Sequence, residues 1–429
     1  VFEKILNNTF IKVFSYNSIV VFGKLLTSFV VSKVSAVYLG PSGYAIVGNF
    51  KNLLQGILGI TASGFQSGII KYIAENKNNT GQLKIIISSV IVLCVGISSI
   101  ISLLLIVFSK TLSVYVLKDE SLAFVFRCLA VLLPLVSLNF LIVHILNGLQ
   151  KFKLYTAIIT LTNIFNALLT FLLVYYLSLK GALYASIIIP ALGFITSLFF
   201  SDVRELLSGV FRSIKNITSV FLKSISTYIV MAIYSSILIS LSYLFIRNKI
   251  IADFNTSIAG LWEAMNKISV FYMMFFSSLF TLYLLPKLSE NKTILGYKSI
   301  MKTYFKYIIP FIIVLFLVIF VFRVFLIKII LTAEFESIEQ YFYLQLIGDF
   351  IKIIAFSLAY QFHAKKMVTF YFVTDAILYI SFYLISMCLI EYFDLMGVFY
   401  SYILSTLLYL ISVSLFIYFN NSNYLKEYV

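Results

Sequence analysis

Acidic residues are scarce, with 17 Asp and Glu among 429 residues against 32 Lys and Arg, and tryptophan occurs once. Cysteine is rarer still: Cys94, Cys128 and Cys388 each lie inside an apolar block. An odd number so placed excludes a disulfide framework, and no CxxC or Cys/His metal spacing occurs. No GxxxxGK[ST] loop is there to cradle phosphates, which excludes a built-in ATPase. A paired-acid motif of the metal-dependent prenyltransferase kind is missing, as is an outer loop large enough for a polymerase domain. The expectation is therefore a chain that is not an enzyme and needs no cofactor. No cleavable signal peptide is expected ahead of the first apolar block.

What the chain has is apolar length. Apolar residues make up 61% and charged residues 11%, and the mean hydropathy is +1.03. A soluble domain of this size keeps far more polar surface to cover its core. The blocks reach the roughly 20 residues needed to cross a bilayer. With no water to satisfy the backbone and no barrel-strand alternation, they must be helices. Spans read at 13–37, 43–70, 84–108, 121–146, 154–178, 181–201, 224–246, 257–286, 305–327, 339–364, 367–390 and 396–420, giving an all-α polytopic membrane protein of about twelve helices. The longest connection is polar and suited to an interface. The expected organisation is a six-helix lobe over 1–203, a cytoplasmic amphipathic linker over 204–223 and a second six-helix lobe over 224–429.

The net charge of +15 does not point to nucleic acid, because the basic residues sit in short loops between apolar blocks. With the N-terminus in the cytoplasm, nineteen of the loop Lys and Arg fall on the cytoplasmic side and eight on the other, Arg247 and Lys249 among the eight. That asymmetry predicts cytoplasmic termini at both ends. The halves also repeat. A shift of 216 places Gly181-Ala-Leu-Tyr-Ala over Gly397-Val-Phe-Tyr-Ser, Lys33 on Lys249, Lys51 on Lys267 and Lys71 on Lys287. An even helix count per half makes the repeats parallel, with substrate expected between them.

Eight charged residues remain inside spans: Lys24, Lys51, Arg127, Lys267, Lys352, Glu263, Asp349 and Asp375. Each would cost about 2.5–3.5 kcal/mol in lipid, so they should face a cavity or one another. Glu263 and Lys267 share a helix face, as do Asp349 and Lys352, and both pairs are placed to neutralise locally. Lys24, Lys51 and Arg127 have no acid on their own helix, which suits an anionic substrate; Arg holds phosphate bidentately. Arg127 lies near a helix end, where snorkelling is the alternative. Glu263–Lys267 serves equally as a packing pair. Asp349 and Asp375 are either coupling acids or counter-ions of the basic cluster. For His144 and His363 a hydrogen-bonded structural role is preferred to a proton relay. The helix-two glycines Gly48, Gly56, Gly59, Gly64 and Gly68 read as close packing, and Pro134 and Pro190 as kinks.

Several of these residues fall in a recognisable pattern. Leu39-Gly-Pro-Ser-Gly is followed by Asn49-Phe50-Lys51 and Lys71-Tyr72. Then come Gly260-Leu-Trp262, Tyr283-Leu-Leu-Pro286, Leu346-Ile-Gly-Asp349 with Lys352, Ala364-Lys365, Phe370-Tyr371 and Asp375. The pattern resembles the Wzx-type O-antigen and lipid-linked oligosaccharide flippases. These are the polysaccharide transporter branch of the multidrug/oligosaccharidyl-lipid/polysaccharide exporter superfamily. The resemblance implies a V-shaped molecule of the bacterial inner membrane. It would move undecaprenyl-pyrophosphate-linked repeat units of O-antigen, for lipopolysaccharide, to the periplasmic leaflet, with ion countertransport. It implies Lys24, Lys51 and Arg127 as substrate contacts and matches Asp349, Lys352 and Asp375 to charged family positions; we expect Lys267 to join the substrate contacts, and Asp349, Lys352, Asp375 and Glu263 to form the coupling set. Implied partners are the lipid-linked glycan, membrane lipid, a polysaccharide polymerase and a chain-length regulator. Three positions depart from the family: Glu263 stands where a neutral amide is usual, Lys267 is not usually basic, and Thr369 replaces a residue often basic. Two other readings stay open: a multidrug or organic-cation antiporter of the same architecture, and a membrane glycosyl polymerase or ligase.

Overall fold

Among the described residues no strand occurs, and the apolar blocks are helical throughout. A computed structural model of the chain describes residues 9–62, 64, 66–77, 79–213, 219–291, 293–365 and 367–426. Of the basic residues used for orientation, Lys4, Lys215, Lys292 and Lys366 lie outside them, as does 214–218 of the expected linker. The first half runs α1 (Thr9–Thr61), α2 (Gln66–Glu75), α3 (Thr80–Val107), α4 (Ser109–Leu112), α5 (Ala123–Gly148), α6 (Phe152–Ser197) and α7 (Ser201–Ser213). The rest is α8 (Ser219–Asp253), α9 (Thr256–Leu279), α10 (Leu285–Glu290), α11 (Ile294–Val321), α12 (Arg323–Ile330), α13 (Phe342–Ala364) and α14 (Val368–Lys426).

Among the described residues, eight helical segments are long and apolar enough to cross a membrane. Three of them, in α1, α6 and α14, are broken internally at Gly40, Ser178 and Phe393–Asp394. Each break falls where the sequence places a short loop between successive spans, and α9 covers a further expected span. The architecture agrees with about twelve crossings. Gly40 takes the left-handed φ of 61° that a residue with a Cβ avoids, and Pro41 follows it.

The two later breaks are one device used twice. Ser178 and Asp394, related by the shift of 216, both adopt positive φ, 48° and 51°. Three residues on, Gly181 and Gly397 let the returning helix press against the carbonyls of Leu173 and Leu389. A Cβ would lie 1.8 and 2.2 Å from those oxygens. Close backbone approach through glycine is what small residues provide in membrane helices.

The chain divides into two compact units, one of Val1–Leu39 with Ile46–Ile237 and the other of Gly40–Ala45 with Leu238–Val429. The division falls inside α8, beyond the 204–223 segment. Gly59 accounts for this: a Cβ there would lie 2.0 Å from Ser236 Oγ, so the first part of α8 packs on α1. In the first unit Ile69, Ile73, Ile87, Val90, Cys94, Leu141 and Ile145 form a buried cluster. Val203 of α7 is buried in a second cluster with Ile142, Leu146, Ile158 and Phe194. Helix α7 is amphipathic, and Leu206 and Leu207 pack under it while Arg204, Glu205 and Ser208 are exposed. Its first turn is tied to Lys151 through Asp202. The hydrogen bond from Lys151 holds the Asp202 carboxyl below its ordinary value. Arg204 donates to the carbonyls of Leu198 and Phe199 at 3.1 and 3.3 Å, capping the end of α6.

In the second unit, Gly260 of α9 meets the Pro41 carbonyl, 1.7 Å from where a Cβ would stand, and Tyr44 packs edge-on against Phe335. Gly348 of α13 lets Tyr402 of α14 lie against the helix, since a Cβ would meet the ring at 2.4 Å. That contact places the Tyr402 hydroxyl beside Asp349.

Candidate functional site

In the first unit, Lys51 opens on a cavity of about 310 Å³. Ser35, Gln55, Asn166, Thr170 and Ser186 supply its polar lining; Val31, Leu54, Leu58, Phe140 and Pro190 supply apolar walls. Among the described residues no Asp or Glu lines it. Lys24 precedes Val31 and Ser35 by seven and eleven residues, which puts it on the same face of α1. It stands about 10 Å further along the helix from Val31. Its side chain is exposed and lies within electrostatic reach of His144. Phe140 of α5 and Asn166 of α6 line the Lys51 cavity, and His144 and Asn163 lie one turn further along the same helices. Gly23 and Thr27 bring α1 against Asn163, with Thr27 Oγ1 donating to the Asn163 carbonyl at 3.3 Å.

Two polar atoms beside Lys24 are orphaned. Among the described residues, His144 Nε2 and Asn163 Nδ2 are buried with no hydrogen-bond partner. A buried polar group left unpaired costs about 1–3 kcal/mol, so each requires an occupant or a function. The expectation of a hydrogen-bonded structural histidine is thus not met at His144 Nε2. Arg127 is exposed, its Nε donates to Ser109 Oγ at 3.4 Å, and like Lys24 it is not among the described residues lining the Lys51 cavity.

In the second unit, Asp349 is fully buried and accepts from four donors. Ser269 Oγ at 2.7 Å, Gln345 Nε2 at 3.0 Å and the Tyr272 hydroxyl reach Oδ2, and the Tyr402 hydroxyl reaches Oδ1 at 2.6 Å. Both carboxylate oxygens are thus hydrogen-bonded. Lys352 makes no ion pair with Asp349. Its Nζ stands over the rings of Tyr402 and Phe356, 5.2 and 5.5 Å from their centroids. Asp375 is buried, within electrostatic reach of Tyr379 and Tyr409.

Glu263 also has a different partner from the one its spacing suggests. It pairs with Arg247 rather than Lys267. Arg247, read from the sequence as an outer-loop residue, is fully buried in α8, 5.3 Å from the Trp262 ring centroid. Trp262 is itself stacked on Tyr243 at 5.6 Å. The planar guanidinium suits both contacts, and the i, i+4 lysine loses the competition. Lys267 is half-buried without an ion-pair acid among the described residues. Glu263 nonetheless stays within electrostatic reach of Lys267. Sequence reasoning missed Arg247, Ser269, Tyr272, Gln345 and Tyr402. Only the burial-prone aromatic Trp262 next to Glu263 could have pointed to the first.

Comparison with known proteins adds three findings. A family model described as polysaccharide biosynthesis protein matches residues 10–292. The lipid III flippases of Escherichia coli (strain K12) and Shigella flexneri are each 26% identical over 363 residues, covering 82% of this chain and 84% of theirs. Among solved structures, the inward-facing form of a multidrug resistance MATE family transporter of the MOP superfamily aligns with a TM-score of 0.74 at 15% identity, covering 94% of this chain and 96% of that one. The lipid II flippase MurJ, in an inward closed conformation, aligns at 0.69 and 14% identity, covering 95% and 87%. At such identities the solved structures speak to the fold alone.

Proposed function

This chain belongs to the polysaccharide biosynthesis protein family, and we propose that it is a flippase for lipid-linked glycans. In this reading it carries undecaprenyl-pyrophosphate-linked oligosaccharide repeat units, such as those of O-antigen, from the cytoplasmic to the periplasmic leaflet of the bacterial inner membrane. Access alternates between the two sides, and both termini are cytoplasmic. One observation carries the reading: Lys51 faces a cavity lined, among the described residues, by hydroxyl and amide groups and no acid. A cation in such surroundings within a span suits an anion. Lys24, with the orphaned atoms of His144 and Asn163, extends that chemistry along one groove. Lys267 is the second-unit counterpart of Lys51, and Arg127 offers charge at the outer helix end. The curated relatives, named lipid III flippases, support the same substrate class.

Coupling to an ion gradient belongs to the same proposal, through Asp349, Asp375, Lys352 and Glu263. The fold likeness to multidrug transporters leaves an organic-cation reading as the competitor. Against it, Asp349 is occupied by four donors and Glu263 by Arg247, so neither offers a carboxylate to a cationic drug.

The test uses cells that depend on this chain for surface glycan. Lys51→Ala should abolish export with the protein still inserted, and Lys51→Arg should retain a substantial part of it, because the charge survives. Undiminished export from a Lys24→Ala/Lys51→Ala variant would remove the groove from the account.

A further inference from the structure

Helix α13 carries one unusual face. Gln345, Asp349, Lys352, Phe356, Tyr360 and His363 recur at helical spacing and fall on a single stripe. One end of the stripe is the closed nest around Asp349. Towards the other end it opens: Phe356 and Tyr360 are half-buried and His363 is exposed. There the rings meet without face-to-face stacking. Tyr360 is tilted against Phe280 at 5.2 Å and against His363 at 5.5 Å, and His363 meets the half-buried Tyr371 of α14 edge-on at 4.7 Å. The Tyr360 hydroxyl lies 3.3 Å from Thr281 Oγ1. The cluster is thus partly accessible, with an imidazole and hydroxyls among its rings.

A surface meant only for acyl chains would have no use for these polar atoms, since each costs free energy in hydrocarbon. Sugar rings want both features at once: apolar C–H faces that lie on aromatic rings, and hydroxyl rims that need donors and acceptors. We propose that Tyr360, His363 and Tyr371, with Thr281, form a platform for a sugar ring of the transported glycan. The proposal rests on the flippase reading and gives it a glycan contact in the second unit. Lys352 stands about 16 Å from His363 along the same stripe.

The full chain in nanodiscs supplies the test. Binding of undecaprenyl pyrophosphate bearing one N-acetylglucosamine is compared with binding of bare undecaprenyl pyrophosphate. For Tyr360→Leu and His363→Leu, affinity for the sugar-bearing lipid should fall by about twofold to tenfold each, as loss of one aromatic contact allows. Affinity for the bare lipid should stay unchanged. Tyr360→Phe keeps the ring face and should retain most of the sugar-dependent binding. His363 is exposed, so its substitution carries the test if Tyr360→Leu does not fold. Equal losses for both lipids, or no loss for either, would overturn the platform. So would wild-type protein that binds the two lipids equally. Wild-type protein that binds neither would instead sink the flippase reading beneath it.

Discussion

Removing either Arg247 or Glu263 takes away the salt-bridge partner of the other inside a membrane helix, and the two residues are best understood through that asymmetry. Arg247 is fully buried, paired with Glu263 and held over Trp262. Breaking a buried pair by deleting one partner costs about 3–5 kcal/mol, whereas replacing both by apolar residues of similar volume is often neutral. Arg247→Met and Glu263→Leu should therefore each lower the unfolding temperature strongly, and the double variant should recover most of the loss. Trp262 is the sole tryptophan and stacks on Tyr243, so its emission reports the same site directly. Additive losses in the double variant would mean that the pair is not the unit of stability. Asp349 belongs to the same scale. Its donors come from positions 269, 272, 345 and 402, on three helices. No local spacing announces such a nest, and for that reason the i, i+3 lysine looked like its partner.

At the level of elements, the hydropathy of the blocks made the helices legible, because twenty apolar residues in lipid have one backbone solution. The breaks were legible too. Gly181 and Gly397 stand at the shared offset, and the structure gives them one job, contact with a carbonyl eight residues earlier. Alanine at either position should destabilise the chain by about 1–3 kcal/mol through overpacking, and by similar amounts in the two halves. Gly96 of α3 has nothing within 4 Å of its would-be Cβ, and Gly96→Ala should be neutral or mildly stabilising in the same thermal unfolding series. If all three substitutions behave alike, close approach is not what those glycines provide. Less legible was the extent of α8. Arg247 sits in Ile246-Arg-Asn-Lys249, a polar run that reads as a loop by composition. Only the aromatic wall built by Tyr243 and Trp262 makes it interior.

For the molecule as a whole, the family and the fold class were readable from charge, repeat and motif, because these depend on local sequence. The partition of charge was not. Two predicted ion pairs of the second half are replaced by other partners, and of the expected trio of the first half Lys51 alone is among the described residues lining the cavity. What remains is a pair of units that each bring a basic residue at the same repeat position, Lys51 and Lys267. The most direct check of this account is lipid translocation by purified protein in proteoliposomes. The probe is undecaprenyl pyrophosphate bearing a short glycan, followed by access of an impermeant glycan-modifying enzyme. The account predicts rapid exposure of the lipid with wild-type protein, near-background rates with Lys24→Ala/Lys51→Ala, and no transport of a cationic dye. Dye transport without movement of the lipid-linked glycan would contradict it.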